Sequence, residues 1–507
     1  MHNTFYNVAM LMANAILAFV LIRFFLGRLG EAKYGVWVLI GSVFRYRIVL
    51  GMGLNSAINR RIPMYLAKGD EQGVQSVVST ALLFFSLVAL VLVLLTLLLY
   101  FKIGDWFAIE AELVPAARWL VLIVGLSFAA STPVQLATAL LSGLQRFDVI
   151  SIVTLITLTI RTALLVVLML RGYGLLTLGY IYGISEVVAR AVQYFYARRL
   201  LPTISVAWKS VNRTLLKEML CYGMNTFLYA TGTLIVYRAS ETIIGIFLGT
   251  AEVAQFSVAA AGVLLLSQFV QAFTAAIKPA VSDLDARDDQ VRVRQIAFLT
   301  QKYSLLLLIP AVTFLAVMGR DFLTVWVGKE FTDPGVLASL TAVLTILAAG
   351  HGLMLAQHSN FLVLAGRGEH KVFGVLTAVE ALLCIVGAVL SVKVAGWGLT
   401  GVAWCNFAPM ALVAGVVLPA YFNRRMKIRT WDTLRQVWWP ALLGSVPGLA
   451  IIILWKYLAP PDSWLKLFGV VAATGIVTCV CAWFISLQSA ERRMFLHVAG
   501  RRSADPV

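Results

Sequence analysis

The chain has 507 residues, of which 60% are hydrophobic and only 13% are charged, and its formal net charge is +17. Soluble globular proteins contain about 25% charged residues, so this composition excludes that class, because the surface could not be covered with polar groups. The mean hydropathy of +0.88 instead indicates a polytopic membrane protein.

Apolar runs long enough to cross a bilayer recur along the whole sequence. A transmembrane helix needs about 20 mostly apolar residues. The first segment follows no Lys or Arg and lacks a small-residue cleavage site, so we expect a retained helix and not a signal peptide. The runs predict about 14 transmembrane helices, at 4–26, 35–58, 77–101, 115–140, 149–170, 175–197, 216–238, 253–277, 298–318, 336–362, 372–392, 398–421, 437–457 and 466–487.

Lys and Arg are distributed unevenly between the loops. With the N-terminus inside, the cytoplasmic loops hold 25 of these residues and the opposite loops hold nine. Because Lys and Arg accumulate on the cytoplasmic side, both termini are predicted to be cytoplasmic. Basic loops also bind anionic headgroups, so membrane lipids are expected partners and nucleic acid is not.

Several short patterns recur at nearly the same distance. FLGRLGEAKYGVW, from Phe25, returns as FLGTAEVAQFSVA from Phe247, at an offset of 222 (247 − 25). GYGL at Gly172 returns as GWGL at Gly396, and Arg146 is matched by Arg367 in the corresponding loop. Six predicted helices separate equivalent points, and this even number gives both copies the same orientation in the membrane.

The patterns therefore predict an all-α polytopic fold of two six-helix lobes in parallel repeat, followed by two C-terminal helices. We expect the first lobe at 1–199, a basic cytoplasmic linker at 200–217 and the second lobe at 218–421. Two further helices and a basic cytoplasmic tail occupy 422–507.

Some arginines fall inside the predicted helices. Arg45, Arg47 and Arg161 lie near mid-membrane, where a charge costs about 2.5–3.5 kcal/mol even on the most lenient scale, so each needs water or a partner. Arg45 and Arg47 cannot share one helix face, because they are two positions apart. A planar guanidinium engages two phosphate oxygens at once, so these residues predict a cationic cavity for an anionic substrate.

Polar stripes accompany these charges. Glu186, Arg190 and Gln193 lie at i, i+4 and i+7 on one face of the sixth helix, where a self-neutralised pair packed between helices is the alternative interpretation. Neutral amides, such as those of Asn14 and Asn55, suit a ligand rich in hydroxyl groups. The predicted substrate-binding residues are Arg45, Arg47, Arg161, Arg190, Asn14 and Asn55.

Three titratable side chains are candidates for ion coupling. These are Glu380, Glu186 and His351, each of which could instead be a hydrogen-bonded interior residue. The five cysteines have no metal-ligand spacing. No metal, cofactor or catalytic residue is predicted.

Four motifs in chain order carry a family resemblance. They are RFFLGRLGEAKYGVWVL (Arg23–Leu39), GMGLNSAINRRIPMYLAKGD (Gly51–Asp70), IIGIFLGTAEVAQFSVA (Ile243–Ala259) and VWVGKEF (Val325–Phe331). In sequence and order these motifs resemble those of the polysaccharide flippases of the multidrug/oligosaccharidyl-lipid/polysaccharide exporter superfamily. The resemblance covers about residues 1–430. The sequence departs from that family where the seventh helix usually carries Asp, because Glu241 or Thr242 stands there.

The resemblance implies two lobes that open alternately to each side of the bacterial inner membrane. It implies, as substrate, a polyprenyl-pyrophosphate-linked glycan that is turned to the outer leaflet. There a polysaccharide polymerase, as partner, would extend it into lipopolysaccharide O-antigen, capsule or exopolysaccharide.

Two other functions remain open at this level. An ion-coupled multidrug exporter of the same fold would bind cationic drugs and would need intramembrane carboxylates in excess, whereas the deep charges here are mostly positive. A membrane glycosyltransferase or polysaccharide polymerase would need a sizeable outer loop. The longest predicted outer loops, 102–115 and 319–334, are too short for a catalytic domain.

Overall fold

The computed structural model describes residues 17–51, 53–202, 207–274, 277–489 and 491–493. All regular structure in these ranges is helical, which confirms the predicted all-α class. Within them, eleven helices are long and apolar enough to cross a membrane, or thirteen when each of two bent helix pairs counts as one span. The predicted number of 14 is not confirmed, since most of the first predicted segment lies outside the described residues.

The helices are numbered in chain order. The first ten are α1 (17–29), α2 (Glu31–Arg45), α3 (Arg47–Leu50), α4 (Leu54–Ala67), α5 (Glu71–Trp106), α6 (Val114–Val134), α7 (Leu136–Gly143), α8 (Phe147–Leu170), α9 (Leu175–Leu200) and α10 (Arg213–Phe247). The others are α11 (Thr250–Thr274), α12 (Ile277–Ala286), α13 (Gln290–Val327), α14 (Pro334–Ala356), α15 (His358–Gly366), α16 (His370–Lys393), α17 (Gly398–Leu412), α18 (Leu418–Arg425), α19 (Thr430–Thr433), α20 (Trp439–Leu458) and α21 (Trp464–Cys481).

The helix order repeats along the chain at the spacing of the sequence patterns. Helix α13 begins 219 positions after α5 (290 − 71), α15 begins 222 after α7 (358 − 136), and α16 begins 223 after α8 (370 − 147). In both copies a single residue interrupts the helix that follows the long one, Gln135 in the first and Gln357 in the second. The duplication is therefore visible in local structure.

Packing divides the chain differently from this repeat. One compact unit contains the chain up to Val258 together with His370–Val402, and the other contains Ala259–Glu369 with the chain from Ala403 onward. Helix α10 packs against α2, α4 and α5 of the first copy, and α16 packs against α10 within the same unit. The lobe boundaries at 199 and 218 stay a prediction, because a repeat of sequence and a unit of packing need not share boundaries.

The first unit packs around an apolar cluster of α4, α5, α7, α8 and α10. Leu54, Ile58, Val77 and Leu141 are completely or almost completely buried in it. The predicted linker at 200–217 is hydrogen-bonded to this unit, since the backbone N–H of Asn212 donates to Thr80 Oγ1 (3.0 Å) on α5. Asn212 then caps α10 by accepting a hydrogen bond from the N–H of Leu215.

The second unit has its own core and buries the charged side chain of Lys302. Its apolar cluster includes Leu305, Leu355 and Val437. Lys302 lies inside the long helix α13 and is 2% exposed. Its ammonium donates to Glu491 (2.7 Å) and to the Ser486 carbonyl (3.2 Å), which compensates the buried charge.

Two helix bends meet in the first unit. The axis turns by 44° between α3 and α4, and α10 bends by 50° between Met224 and Phe227. Gly53, with φ of 68°, precedes α4, and a Cβ added there would overlap the carbonyl oxygen of Gly223. Only glycine permits both this backbone conformation and this approach.

Replacement of Gly53 by Ala should destabilise the protein, because alanine is strained at this positive φ and its Cβ would overlap the carbonyl oxygen of Gly223. Gly69→Ala is a matched control, because Gly69 has almost the same φ of 67° but open space where its Cβ would lie. We expect Gly53→Ala to lower the stability by about 1–3 kcal/mol more than the control, the typical cost of overpacking. Thermal unfolding of the purified variants in detergent measures this, and equal melting temperatures would contradict the close approach.

Candidate functional site

A cavity of about 360 Å³ lies within the first unit. Its walls come from α3, the turn before α4, α4 itself, α5, α6, the interruption at Gln135, α9 and α10. The lining residues are Arg47, Ile48, Gly51, Gly53, Asn55, Ser56, Phe85, Val88, Thr132, Gln135, Arg190, Phe227, Ala230 and Thr231.

Irregular backbone produces this space. Helix α3 is a single turn that ends before Gly51, and Pro133 stands inside α6 just before the interruption at Gln135. Pro133 has no backbone N–H to donate, so Thr132 and Gln135 lie where the hydrogen bonding of the helix is weakened. The bend of α10 lies immediately before Phe227, which lines the same cavity.

Arg190 on α9 is fixed by a polar network. Its Nε and Nη2 atoms lie 3.2 and 3.1 Å from Glu186 Oε1, one helical turn earlier. Its Nη1 donates to Thr138 Oγ1 (2.7 Å) on α7 and to Gln193 Oε1 (3.3 Å). The predicted stripe of Glu186, Arg190 and Gln193 is thus one connected network, to which Thr138 is added.

Arg47 reaches the same carboxylate more loosely. Its Nη2 lies 3.7 Å from Glu186 Oε1, and its guanidinium carbon lies 4.1 Å from the centre of the Phe128 ring. The contact with Phe128 is a cation–π interaction, which is favourable within about 6 Å. Arg47 and Arg190 therefore share the charge of Glu186, and this group of three carries a net charge of +1.

Neutral polar groups complete the cavity wall. The Oδ1 atom of Asn55 is buried and, within the described residues, has no hydrogen-bond partner. A buried acceptor without a partner costs free energy, so this atom is suited to receive a donor from a ligand or a water molecule. Ser56, Thr132 and Gln135 lie on the same lining.

Two other predicted substrate residues, Arg161 and Arg45, are not among those lining the cavity. Arg161 on α8 lies with its guanidinium carbon 4.3 Å from the Tyr182 ring centre. Arg45 interacts electrostatically with Arg238 and Glu241 on α10. Asn14 lies outside the described residues. A substrate-binding role for these three remains a prediction.

The three ion-coupling candidates occupy different environments. Glu186 belongs to the arginine network described above. Glu380 on α16 is 3% exposed, its Oε1 has no hydrogen-bond partner within the described residues, and it interacts electrostatically with Tyr229 on α10. His351 on α14 is buried in the second unit, with Nδ1 3.0 Å from the Leu347 carbonyl oxygen of its own helix.

Several residues of the cavity and of its arginine network were not predicted from the sequence. Pro133 followed by a glutamine inside an apolar segment was a usable signal for the interruption at Gln135. No local signal pointed to Phe128 or Thr138, because each contacts its arginine across a helix interface.

The chain is similar to known proteins in both sequence and structure. The sequence model of a family described as "Polysaccharide biosynthesis protein" matches residues 1–285. The structure is similar to that of the lipid II flippase MurJ in an inward closed conformation, with a TM-score of 0.67 and 16% identity over 95% of this chain and 97% of that one.

Two further solved structures share the fold. An inward-facing multidrug resistance MATE family transporter of the MOP superfamily matches with a TM-score of 0.65 and 17% identity, over 84% of this chain and 94% of the other. A MOP superfamily transporter from Pyrococcus furiosus matches with a TM-score of 0.54 and 15% identity, over 84% and 95%. No curated protein sequence matches the chain significantly.

The Thr138 hydroxyl should be a main support of the arginine network. Thr138→Val keeps the side-chain shape but removes the acceptor for Arg190, so we expect a loss of about 1.5–3 kcal/mol, typical of a hydrogen bond to a charged group. Thr154→Val is the control, because the Thr154 hydroxyl donates to the Ile150 carbonyl of its own helix and not to another helix among the described residues. Thermal unfolding should show a lower melting temperature for the Thr138 variant alone; equal effects would contradict the network.

Proposed function

Because the chain belongs to the polysaccharide biosynthesis protein family, we propose that it is a flippase for a lipid-pyrophosphate-linked oligosaccharide. In this proposal the glycan is turned from the inner to the outer leaflet of the bacterial inner membrane by alternating access. The chain is a multi-pass membrane protein with the fold of MOP superfamily transporters. The observation that carries the proposal is the charge of the cavity in the first unit.

The cavity suits a pyrophosphate because arginine exceeds carboxylate around it. Arg47 and Arg190 line it, and Glu186 is the carboxylate to which both are bound. A guanidinium presents planar donors that engage two phosphate oxygens together. Away from bulk water such an interaction is stronger than at a surface, so two guanidinium groups can retain a substrate whose charge lies in a pyrophosphate.

The remaining wall suits a sugar attached to that phosphate. Asn55, Ser56, Thr132 and Gln135 offer neutral hydrogen-bonding groups to hydroxyls, and Phe85 and Phe227 offer apolar faces. A volume of about 360 Å³ is near the lower end of ligand pockets, which run from about 300 to 1,000 Å³. We infer that the headgroup next to the lipid, and not the whole oligosaccharide, is bound there.

The cavity charge disfavours the main alternative. Multidrug transporters of the MATE family share this fold, but a site for cationic drugs would need more carboxylates than arginines. Here the two arginines outnumber their one carboxylate, and a bound cation would be repelled. The structural neighbours are transporters and flippases, so we propose no catalytic role.

The setting of the reaction follows from this proposal. Both termini lie in the cytoplasm, on the side where the lipid-linked glycan is built. The product is released at the opposite face, where a polysaccharide polymerase would be the partner that consumes it.

The cavity arginines give the principal test. In a strain that depends on this chain, Arg47→Ala and Arg190→Ala should reduce glycan export at least tenfold at normal protein levels, because loss of one charge-assisted contact of about 1.4 kcal/mol already costs tenfold. Lipid-linked precursor should accumulate, as measured by mass spectrometry of extracted lipids. Lysine substitutions should restore export only partly, since an ammonium keeps the charge without the planar geometry.

Arg161→Ala serves as the matched comparison. Arg161 is also an intramembrane arginine beside an aromatic ring, but it is not among the lining residues. Its replacement should have a smaller effect if the cavity binds the substrate. Normal export by both cavity variants would contradict the proposed site.

Coupling to an ion gradient is proposed for Glu380. It is a buried carboxylate whose Oε1 accepts no hydrogen bond from the described part of the chain. It lies on α16, which packs against α10, and α10 also lines the cavity. Glu380→Gln should impair transport while leaving substrate affinity unchanged. Transport assays in vesicles with imposed ion gradients measure this, and wild-type rates for Glu380→Gln would exclude it as the coupling group.

A further inference from the structure

The carboxylate of Glu186 occupies the guanidinium groups that line the cavity. One oxygen, Oε1, lies within 3.2 Å of Nε and 3.1 Å of Nη2 of Arg190, and within 3.7 Å of Nη2 of Arg47. Glu186 itself is not among the lining residues. An anion that enters the cavity therefore meets two cations that a carboxylate already holds.

The two arginines are not held equally. Arg190 has two further anchors, Thr138 Oγ1 and Gln193 Oε1, which fix its guanidinium independently of Glu186. Arg47 has the longer ion pair and a contact with the Phe128 ring. A cation–π contact constrains the guanidinium less than a set of hydrogen bonds does, so Arg47 is the more easily released of the two.

We propose that Glu186 is an internal competitor of the substrate anion, a residue that determines affinity by holding the cavity arginines until a phosphate displaces it. The inference rests on the proposed function only in that an anion occupies the cavity. When phosphate enters, Arg47 and then Arg190 exchange a carboxylate partner for phosphate oxygens. When phosphate leaves, Glu186 returns.

Electrostatics gives the reason for such a competitor. Without Glu186 the empty cavity would contain two uncompensated arginines, each of which is costly within a membrane. With it, the empty cavity carries one net positive charge instead of two, so the empty state is less strongly disfavoured. A competitor also weakens binding, and a transporter needs weak binding because it must release its substrate on the other side.

If Glu186 competes with the substrate anion, its replacement should strengthen pyrophosphate binding. If Glu186 only supports the arginines, its replacement should weaken that binding. Glu186→Gln removes the competing charge but keeps the side-chain shape, so we expect the Kd for inorganic pyrophosphate to fall about tenfold or more. If Glu186 only positions the arginines, the same variant should bind more weakly. The measurement is calorimetric titration of the purified full-length protein in lipid nanodiscs at constant ionic strength, with sulfate as the control for unspecific screening.

Two further variants keep the test decisive. Glu218→Gln is the control for loss of an Arg–Glu pair, because Glu218 binds Arg61 (2.6 Å) away from the cavity, and it should leave the Kd unchanged. Glu186→Asp keeps the charge but shortens the reach, so its Kd should lie between those of the wild type and Glu186→Gln. If Glu186→Gln fails to fold, the aspartate variant must still bind more tightly than the wild type.

The outcomes separate this inference from the proposed function. Tighter pyrophosphate binding by Glu186→Gln in a protein that moves no lipid-linked glycan would overturn the function and support the competitor. Unchanged or weaker binding in a protein that does move the glycan would overturn the competitor alone. If neither the wild type nor Glu186→Gln binds pyrophosphate, the inference is overturned.

Discussion

Two guanidinium groups bound to one carboxylate, in the interior of a membrane-spanning helix bundle, set the requirements for the rest of the first unit. A charge in such surroundings is tolerated only with a partner or with water. Arg190 obtains its partners from α9 itself and from α7, and Arg47 obtains them from α9 and from the ring of Phe128. Helices distant in the sequence must therefore pack closely enough to supply these groups.

The same requirement explains why irregular backbone is tolerated here. Within a membrane, breaks in a helix are tolerated where they are buried in protein or border a polar cavity. The interruption between α3 and α4, the interruption at Gln135 and the bend of α10 all border one cavity. The interrupted helices form the cavity, and the network of Arg47, Arg190 and Glu186 gives it a positive charge.

The second copy of the repeat has different side chains at its equivalent interruption, Gln357. Gln357, 222 positions after Gln135, lies in a buried amide cluster, where its Oε1 accepts from Asn360 (2.8 Å) and Gln301 (3.5 Å). These three side chains are neutral amides, whereas the network near Gln135 contains Arg190 and Glu186. Both copies have the backbone interruption, and in the proposed mechanism anion binding belongs to the first copy, where the cavity arginines lie.

The sequence by itself determined the membrane class, the order of the helices, the repeat near 222 residues and the stripe of Glu186, Arg190 and Gln193. Each of these is a local property, because hydrophobic length and helical periodicity act over a few turns of one segment. The tertiary structure decided that Arg47 and not Arg45 lines the cavity, that Phe128 and Thr138 join the network, and that Lys302 is buried against Glu491. It also placed Glu380 against α10 in the first unit. These features depend on which helix faces meet, and that choice is made by packing between residues far apart in the chain, for which a single sequence contains no local signal.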